Sequence, residues 1–290
     1  MNLSSSDGSE MRQRACLNTA TIKKVPVRQQ LRAAFAAGFR RIGLWVDDVE
    51  AAQCCGTGLA QISGWIREAG LEVAELCFIG GWQEADESAF PTVLVGAHHI
   101  CRVAHDLDCD TVVAVPAMGW GLLEAAAARF REICQVAANY GVRIALESPG
   151  TAALVNNFAT AWKVVSSAGC ENGGMVLDAF HFYLGGSNLK DLDRLSAEKI
   201  FLVHLSDAMD VSQEKLRTHH DFRTFPGEGT LDYLPLLHKL QEIGYKGAFS
   251  LEIWNQRLLE ADPMEVAQRG FESLLALEKL ASRVEEGLER

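Results

Sequence analysis

The chain has 290 residues, 48% of them hydrophobic, so it can bury a large core as either two ordinary domains or one α/β barrel. Its formal charge of -11 and sequence pI near 5.2 give a field that repels phosphate backbones and anionic surfaces, which argues against nucleic acid or a membrane as partner. No apolar run approaches the roughly 18 residues a bilayer span needs, and the polar start MNLSSSDGSEMRQR lacks the apolar core of a signal peptide, so a cytoplasmic protein is expected.

In chain order, residues 1–14 read as a disordered lead-in and 15–290 as a single domain. The first strand is expected over 16–22. From there one phrase recurs in different spellings: LRAAFAAGFRRIGLWV, IREAGLEVAELCF, VAANYGVRIALES and LQEIGYKGAFSLEIW. Each joins a helix-period apolar face, a glycine at the helix C-cap and a short β-rich run. TVVAVP (111–116), GMVLD (174–178) and IFLVHLS (200–206) bring the expected strands to eight. Strands that alternate with helices pair in parallel, because each parallel pairing needs a crossover. Eight such units predict a (β/α)8 TIM barrel, with a final helix from about Pro263 to Arg290. A doubly wound sheet is the structural alternative, but CCGTGLAQ matches GxGxxG badly and does not leave a strand.

Active sites of such barrels lie at the C-terminal ends of the strands, so polar residues that finish apolar strands are the candidates. The fifth expected strand ends on Glu147, the sixth on Asp178, the seventh carries His204 and then Asp207, and the eighth ends on Glu252. An oxygen-rich set with one nitrogen suits Mn²⁺, Mg²⁺, Co²⁺ or Zn²⁺. Three carboxylates brought together would repel one another unless a cation stood between them. Singly, Asp178 could be a helix N-cap, the glutamates rim ion-pair partners and His204 a core histidine. Helical His98, His99 and His105, and also His238, read as surface or packing residues, while His219 and His220 stay open. Trp82, Trp120 and Trp254 follow strand ends, where they could wall a pocket or pack in the core. Eight cysteines (16, 54, 55, 77, 101, 109, 134 and 170) without CxxC spacing read as small buried hydrophobes in a reducing compartment.

LDAFH, VHLSDA, RTFPGEG and SLEIW, in this order and at these separations, resemble the sugar phosphate isomerase/epimerase family, the xylose isomerase-like TIM barrels that include inosose isomerases, inosose dehydratases and ketose 3-epimerases. The likeness runs from about Cys16 to Leu275. It implies that Glu147, Asp178, His204 and Glu252 bind one divalent metal, that His181 and Arg223 contact substrate oxygens, and that Glu147 and Glu252 double as acid and base. The substrate would be a small carbohydrate, its phosphate or a cyclic polyol. Chemistry leads to the same residues independently: isomerising a sugar requires removal of a proton beside a carbonyl and stabilisation of the resulting enediolate, tasks suited to a carboxylate and a Lewis acid. Arg223 offers bidentate hydrogen bonds to an oxygen-rich group.

Departures from the family pattern narrow the choice. SPGTAALVNNFATAW has no acid where ketose 3-epimerases carry a glutamate after the fifth-strand ligand, and Pro149 stands where one group of 3-dehydroshikimate dehydratases has a histidine. Dehydration of the inosose or dehydroshikimate type stays the alternative, since it begins with the same proton abstraction. A minor alternative, an endonuclease IV-like DNA repair enzyme, would need further histidines, and its Asp-x-His pair reads Asp221-Phe222-Arg223 here. Cys, Ala and Trp side chains on outer helices such as AAFAAGF and GLLEAAAARF suggest an apolar surface larger than a monomeric barrel needs, and hence a dimer or tetramer.

Overall fold

The structure, a computed structural model, describes residues 10–288. Eight strands close into one barrel: β1 (Ala15–Asn18), β2 (Arg41–Trp45), β3 (Glu72–Ile79), β4 (Thr111–Ala114), β5 (Arg143–Leu146), β6 (Gly173–Asp178), β7 (Ile200–Leu205) and, after the two-residue strands β8 (Asp207–Ala208) and β9 (Arg223–Thr224), β10 (Ala248–Leu251). All eight barrel pairings are parallel, and helices such as Val27–Ala37, Phe90–Asp106 and Leu123–Ala138 make the crossovers. The expected TIM barrel is therefore what this sequence forms. The recurring phrase keeps its glycine signature: Gly38, Gly70, Gly141 and Gly244 take φ of 103°, 62°, 69° and 77°, ending a helix and turning the chain into β2, β3, β5 and β10.

Three expectations need correction. The first strand stops at Asn18, not Ile22, because the Asn18 side chain accepts the Ala20 N–H at 3.0 Å and starts a 3-10 turn over Thr19–Ile22. Of the lead-in expected over 1–14, residues 1–9 lie outside the described residues and Glu10–Arg14 is a short helix, with Arg14 stacked on Phe249 and donating to the Gly247 carbonyl. The alanine stretches read as outward-facing are so only in part: Ala33, Ala34 and Ala37 are buried on the helix that packs against Pro263–Leu288, and Ala126 and Ala127 are buried too, whereas Ala36, Ala125 and Ala128 are exposed, with Phe35 and Leu122. Among the described residues no helix is long and apolar enough to cross a membrane. Cys16, Cys77, Cys101, Cys109 and Cys134 are buried thiols as expected, Cys170 is half-buried, and Cys54 and Cys55 are exposed at a helix end.

Two apolar layers follow from strand alternation. Leu17, Ile42, Leu44, Val112, Ile144, Leu177, Val203 and Leu251 point outward into the main core under the helices. Cys16, Cys77, Val113, Ala145, Val176, Leu202 and Ala248 fill the barrel interior with Phe201. Successive side chains alternate sides, so residues two further along a strand share the interior. Two on from Ala145 is Glu147; from Val176, Asp178; from Leu202, His204; and from Ala248, Ser250 and then Glu252. The alternation that fills the barrel floor with small apolar groups thus brings the polar strand ends to one place.

One interior exchange of volume stands out. Gly43 on β2 faces Glu75 on β3, and a Cβ at Gly43 would lie 2.4 Å from the Glu75 Oε1. Gly43→Ala should therefore destabilise the fold by about 1–3 kcal/mol through overpacking. Gly64→Ala, at a helix position with nothing near the added methyl, should stabilise it by roughly 0.5–1 kcal/mol. Urea denaturation of the two variants measures both signs, and equal effects would refute this account of Gly43.

Candidate metal and active site

Glu147 follows β5 directly, Asp178 ends β6, His204 sits on β7 beside Asp178 in register, and Glu252 follows β10. All four are buried, and each offers one ligand atom such that the four atoms lie within 4.8 Å of one another. Asp178 divides its two oxygens. Its Oδ1 accepts the His181 N–H at 2.9 Å and caps the short helix Ala179–Leu184, while Oδ2 lies 3.4 Å from the Arg223 Nη1. The N-cap and cluster readings of this residue are therefore both met, by different atoms.

The cap also aims His181 inward. The Gly150 N–H donates to its Nδ1 at 3.2 Å, Arg223 Nη2 is 2.9 Å from its Nε2, and Glu147 Oε1 is 3.7 Å from the same nitrogen. Arg223 is almost wholly buried, stacked on Phe180 at 4.2 Å, and its carbonyl accepts from Asn255. It stands on β9, which pairs antiparallel with β8. Asp207, expected beside the other strand-end residues, turns out to build this scaffold: its carboxylate accepts the N–H groups of Ala208, Gly227, Gly229 and Leu231 at 2.8 to 3.0 Å. Gly229 has no side chain because a Cβ there would come within 2.4 Å of the Asp207 Oδ1.

Burial and like charge set the protonation of the cluster. Burial first, then Glu252 and Asp178, push the Glu147 carboxyl up to about 8. Burial opposes ionisation of Asp178 as well, but His181, Arg223 and His204 outweigh it and hold its carboxyl below the usual range. For His204 burial works against the charged ring, yet Glu75 and Glu252 raise its pKa well above the ordinary imidazole value. Its Nδ1 is buried 3.3 Å from the Glu252 Oε2 without a hydrogen bond of good geometry. A buried imidazole nitrogen facing the cluster carboxylates, in ion-pair contact with Glu252 but without a well-formed hydrogen bond, fits a divalent cation, and the oxygen-rich set with one nitrogen fits Mn, Mg, Co or Zn.

The remaining candidates separate. Trp82 is core, packed on Phe130, whereas Trp120 is 84% exposed. Trp254 is half-buried and edge-on to Trp45, which in turn meets Phe78, so an aromatic wall forms at the ends of β2, β3 and β10. His98, His99 and His105 make surface contacts with Tyr140 and Glu50, His219 is exposed against Phe222, and His238 stays apart from the cluster. The His220 side chain lies outside the described residues. Two residues escaped the strand-end criterion: Trp45 and Glu75. Glu75 is fully buried with its Oε2 2.7 Å from the His204 Nε2. Its signal was a charge in mid-strand, within the apolar run EVAELCFI.

The family model described as "Xylose isomerase-like TIM barrel" matches residues 31–277. Inosose isomerase of Bacillus velezensis is 27% identical over 270 residues, covering 90% of this chain and 96% of that protein. Inosose isomerase of Halalkalibacterium halodurans is 35% identical over 176 residues, 58% of this chain and 62% of that one. 3-dehydroshikimate dehydratase of Pseudomonas aeruginosa is 34% identical over 149 residues, 51% of this chain and 24% of that longer protein. Among solved structures, an IOLI protein with a bound zinc atom superposes with a TM-score of 0.85 at 24% identity, covering 93% of this chain and 98% of that one.

The raised pKa of Glu147 makes stability depend on pH. Without a metal the folded chain keeps a proton that the unfolded carboxyl, with an ordinary value of 4.5, releases. The folded state then binds more protons, so stability falls as pH rises from about 4.5 to about 8. The slope is at most about 1.4 kcal/mol per pH unit, and His204, also raised, adds a decline of the same sign. Denaturant melts in chelator between pH 5 and 8.5 should show this slope, reduced in Glu147→Gln. An equal slope in both proteins would contradict the assignment.

Proposed function

The chain belongs to the xylose isomerase-like TIM barrel family, and from that premise we propose that it is a divalent-metal-dependent isomerase or epimerase of a sugar, a sugar phosphate or a cyclic polyol. Glu147, Asp178, His204 and Glu252 hold the ion. The observation that carries this reading is their convergence: four inward strand-end residues with ligand atoms within 4.8 Å, one of them a buried imidazole nitrogen without a well-formed hydrogen bond. The bound-zinc neighbour and the inosose isomerase relatives support it. When bound, the ion supplies Lewis-acid polarisation of a carbonyl and offsets the charge of the three carboxylates.

The chain's own residues do the rest. Glu147 and Glu252, on strands separated in the barrel by β6 and β7, reach a substrate from two sides and serve as acid and base for the carbon beside the carbonyl. His181 and Arg223 hold a substrate oxygen. Both nitrogens of His181 face N–H donors, Gly150 and Arg223, yet a neutral imidazole has one lone pair. An acceptor oxygen settled between His181 and Arg223 resolves that conflict, with Nε2–H and the guanidinium both donating to it. Trp45 and Trp254 wall the mouth and exclude water around the reacting carbon.

Dehydration is the second reading, favoured by the 34% identity with a 3-dehydroshikimate dehydratase. It shares proton abstraction and then loses a β-hydroxyl, so it is told apart by a product lighter by one water. The DNA-repair alternative draws no support from Asp221, whose Oδ1 caps the next helical turn by accepting the Gln256 N–H at 2.8 Å.

With Mn²⁺, the enzyme should exchange the substrate C–H proton beside the carbonyl with D₂O, followed by NMR across ketoses, their phosphates and inososes. Glu252→Gln should slow turnover by about two to four orders of magnitude. Arg223→Ala should mainly raise KM. Full activity of Glu252→Gln on a true substrate, or undiminished activity in EDTA with no metal found in the protein, would refute the proposal.

A further inference from the structure

One layer deeper than the four cluster residues lies another carboxylate. Glu75 is completely buried, and both its oxygens are enclosed by donors. Its Oε1 accepts from the Asn18 Nδ2 at 3.0 Å and the Ser250 Oγ at 2.6 Å, and its Oε2 meets the His204 Nε2 at 2.7 Å and the Cys77 thiol at 3.8 Å. Asn18 is locked in turn: its Oδ1 accepts the Trp45 Nε1–H at 2.8 Å and the Ala20 N–H at 3.0 Å, so its NH₂ has to point at Glu75. Gly43 leaves the space in which the carboxylate lies. The two nitrogens of His204 are therefore divided between two surroundings, Nε2 against Glu75 and Nδ1 toward Glu252 and the cluster.

An imidazole binds a metal through a lone pair, and the one proton of the neutral ring can sit on either nitrogen. We propose that Glu75 is a positioning residue that keeps the His204 proton on Nε2, presenting the Nδ1 lone pair to the divalent ion, with Asn18 and Ser250 holding Glu75 in the orientation that does so. The proposal rests on the metal site described above and adds to it a residue from a strand that contributes none of the four ligands.

The geometry says what a neutral replacement does. In Glu75→Gln the amide has one acceptor end and one donor end. Asn18 is a fixed donor, so the glutamine oxygen turns to it and the NH₂ faces His204 Nε2. That nitrogen must then carry the lone pair and Nδ1 the proton, the tautomer that faces the cluster with a hydrogen instead of a ligand atom. The loss is one of tautomer, with shape and volume kept.

The test uses the full chain, wild type and Glu75→Gln, stripped with chelator and checked for folding by circular dichroism and thermal melting. Zn²⁺ affinity is measured by competition with a chromophoric chelator, and the protonated ring nitrogen of His204 by long-range ¹H–¹⁵N spectra of ¹⁵N-histidine-labelled, Zn²⁺-loaded protein. The expected result is a proton on Nε2 in wild type and an affinity about 10–100-fold weaker in Glu75→Gln. Ser250→Ala removes one donor to Glu75 but leaves its charge and the Asn18 bond, so it should weaken Zn²⁺ binding by less than Glu75→Gln does. Equal affinity of folded Glu75→Gln and wild type, or a wild-type ring protonated on Nδ1, overturns the proposal. If Glu75→Gln does not fold, the wild-type spectrum alone decides. Wild type that takes up no Zn²⁺ refutes the metal site itself, an outcome distinct from the other two.

Discussion

Four carboxylates buried around one imidazole are the constraint on which this molecule turns. Isolated ionised groups do not survive in a protein interior unless they are paired, hydrogen-bonded or bound to a cation. Glu75, Glu147, Asp178 and Glu252 meet that demand in different ways. Glu75 and Asp178 are enclosed by donors and kept ionised, whereas Glu147, short of such partners and pressed by Glu252 and Asp178, retains its proton to about pH 8. The unevenness follows from surroundings alone: donors keep Glu75 and Asp178 charged, and the negative neighbours of Glu147 keep it protonated.

The barrel makes this concentration of charge tolerable. Its lower interior is plugged by Cys16, Ala145, Val176, Phe201 and Ala248, which keep water from the carboxylates from below, while the outer core of Leu, Ile and Val anchors the strands to their helices. Asp178 and His204 lie within barrel strands and Glu147 and Glu252 directly follow strand ends, whereas His181 stands on a short helix and Arg223 outside the barrel sheet. Arg223 reaches the site on a two-residue strand tethered through the Asp207 carboxylate to the backbone of Gly227, Gly229 and Leu231.

Much of this was legible in the sequence, for a physical reason. Period-3.6 helices ending in glycine and followed by β-rich runs specify αβ units, and the count of eight specifies closure. A polar residue closing an apolar strand is a local signal, which is why Glu147, Asp178, His204 and Glu252 could be picked out singly and prove to stand together. Glu75 carries no such local signal. Its partners Asn18, His204 and Ser250 are 57, 129 and 175 residues away, and only the stagger of the closed barrel brings them into one layer. Asp207, the acid that follows the end of β7, spends its oxygens on backbone amides instead. The alanine stripes divide between two surroundings that look alike in sequence: Ala33, Ala34, Ala37, Ala126 and Ala127 are covered by the chain itself, while Ala36, Ala125 and Ala128 face outward.

Asp178 gives one carboxylate two duties, and this joins two events that need not otherwise communicate. Its Oδ1 fixes the first turn of the helix bearing His181, and its Oδ2 faces the cluster beside Arg223. If Asp178 holds an ion and His181 a substrate oxygen, as proposed, a rotation of that carboxylate would be felt by the helix bearing His181, and a shift of His181 would be felt by the carboxylate. Coupling of this kind is reciprocal by thermodynamic necessity. Whatever factor the ion would contribute to the hold on a substrate, the substrate would return to the hold on the ion, so a change at Asp178 that alters one affinity through this link alters the other equally.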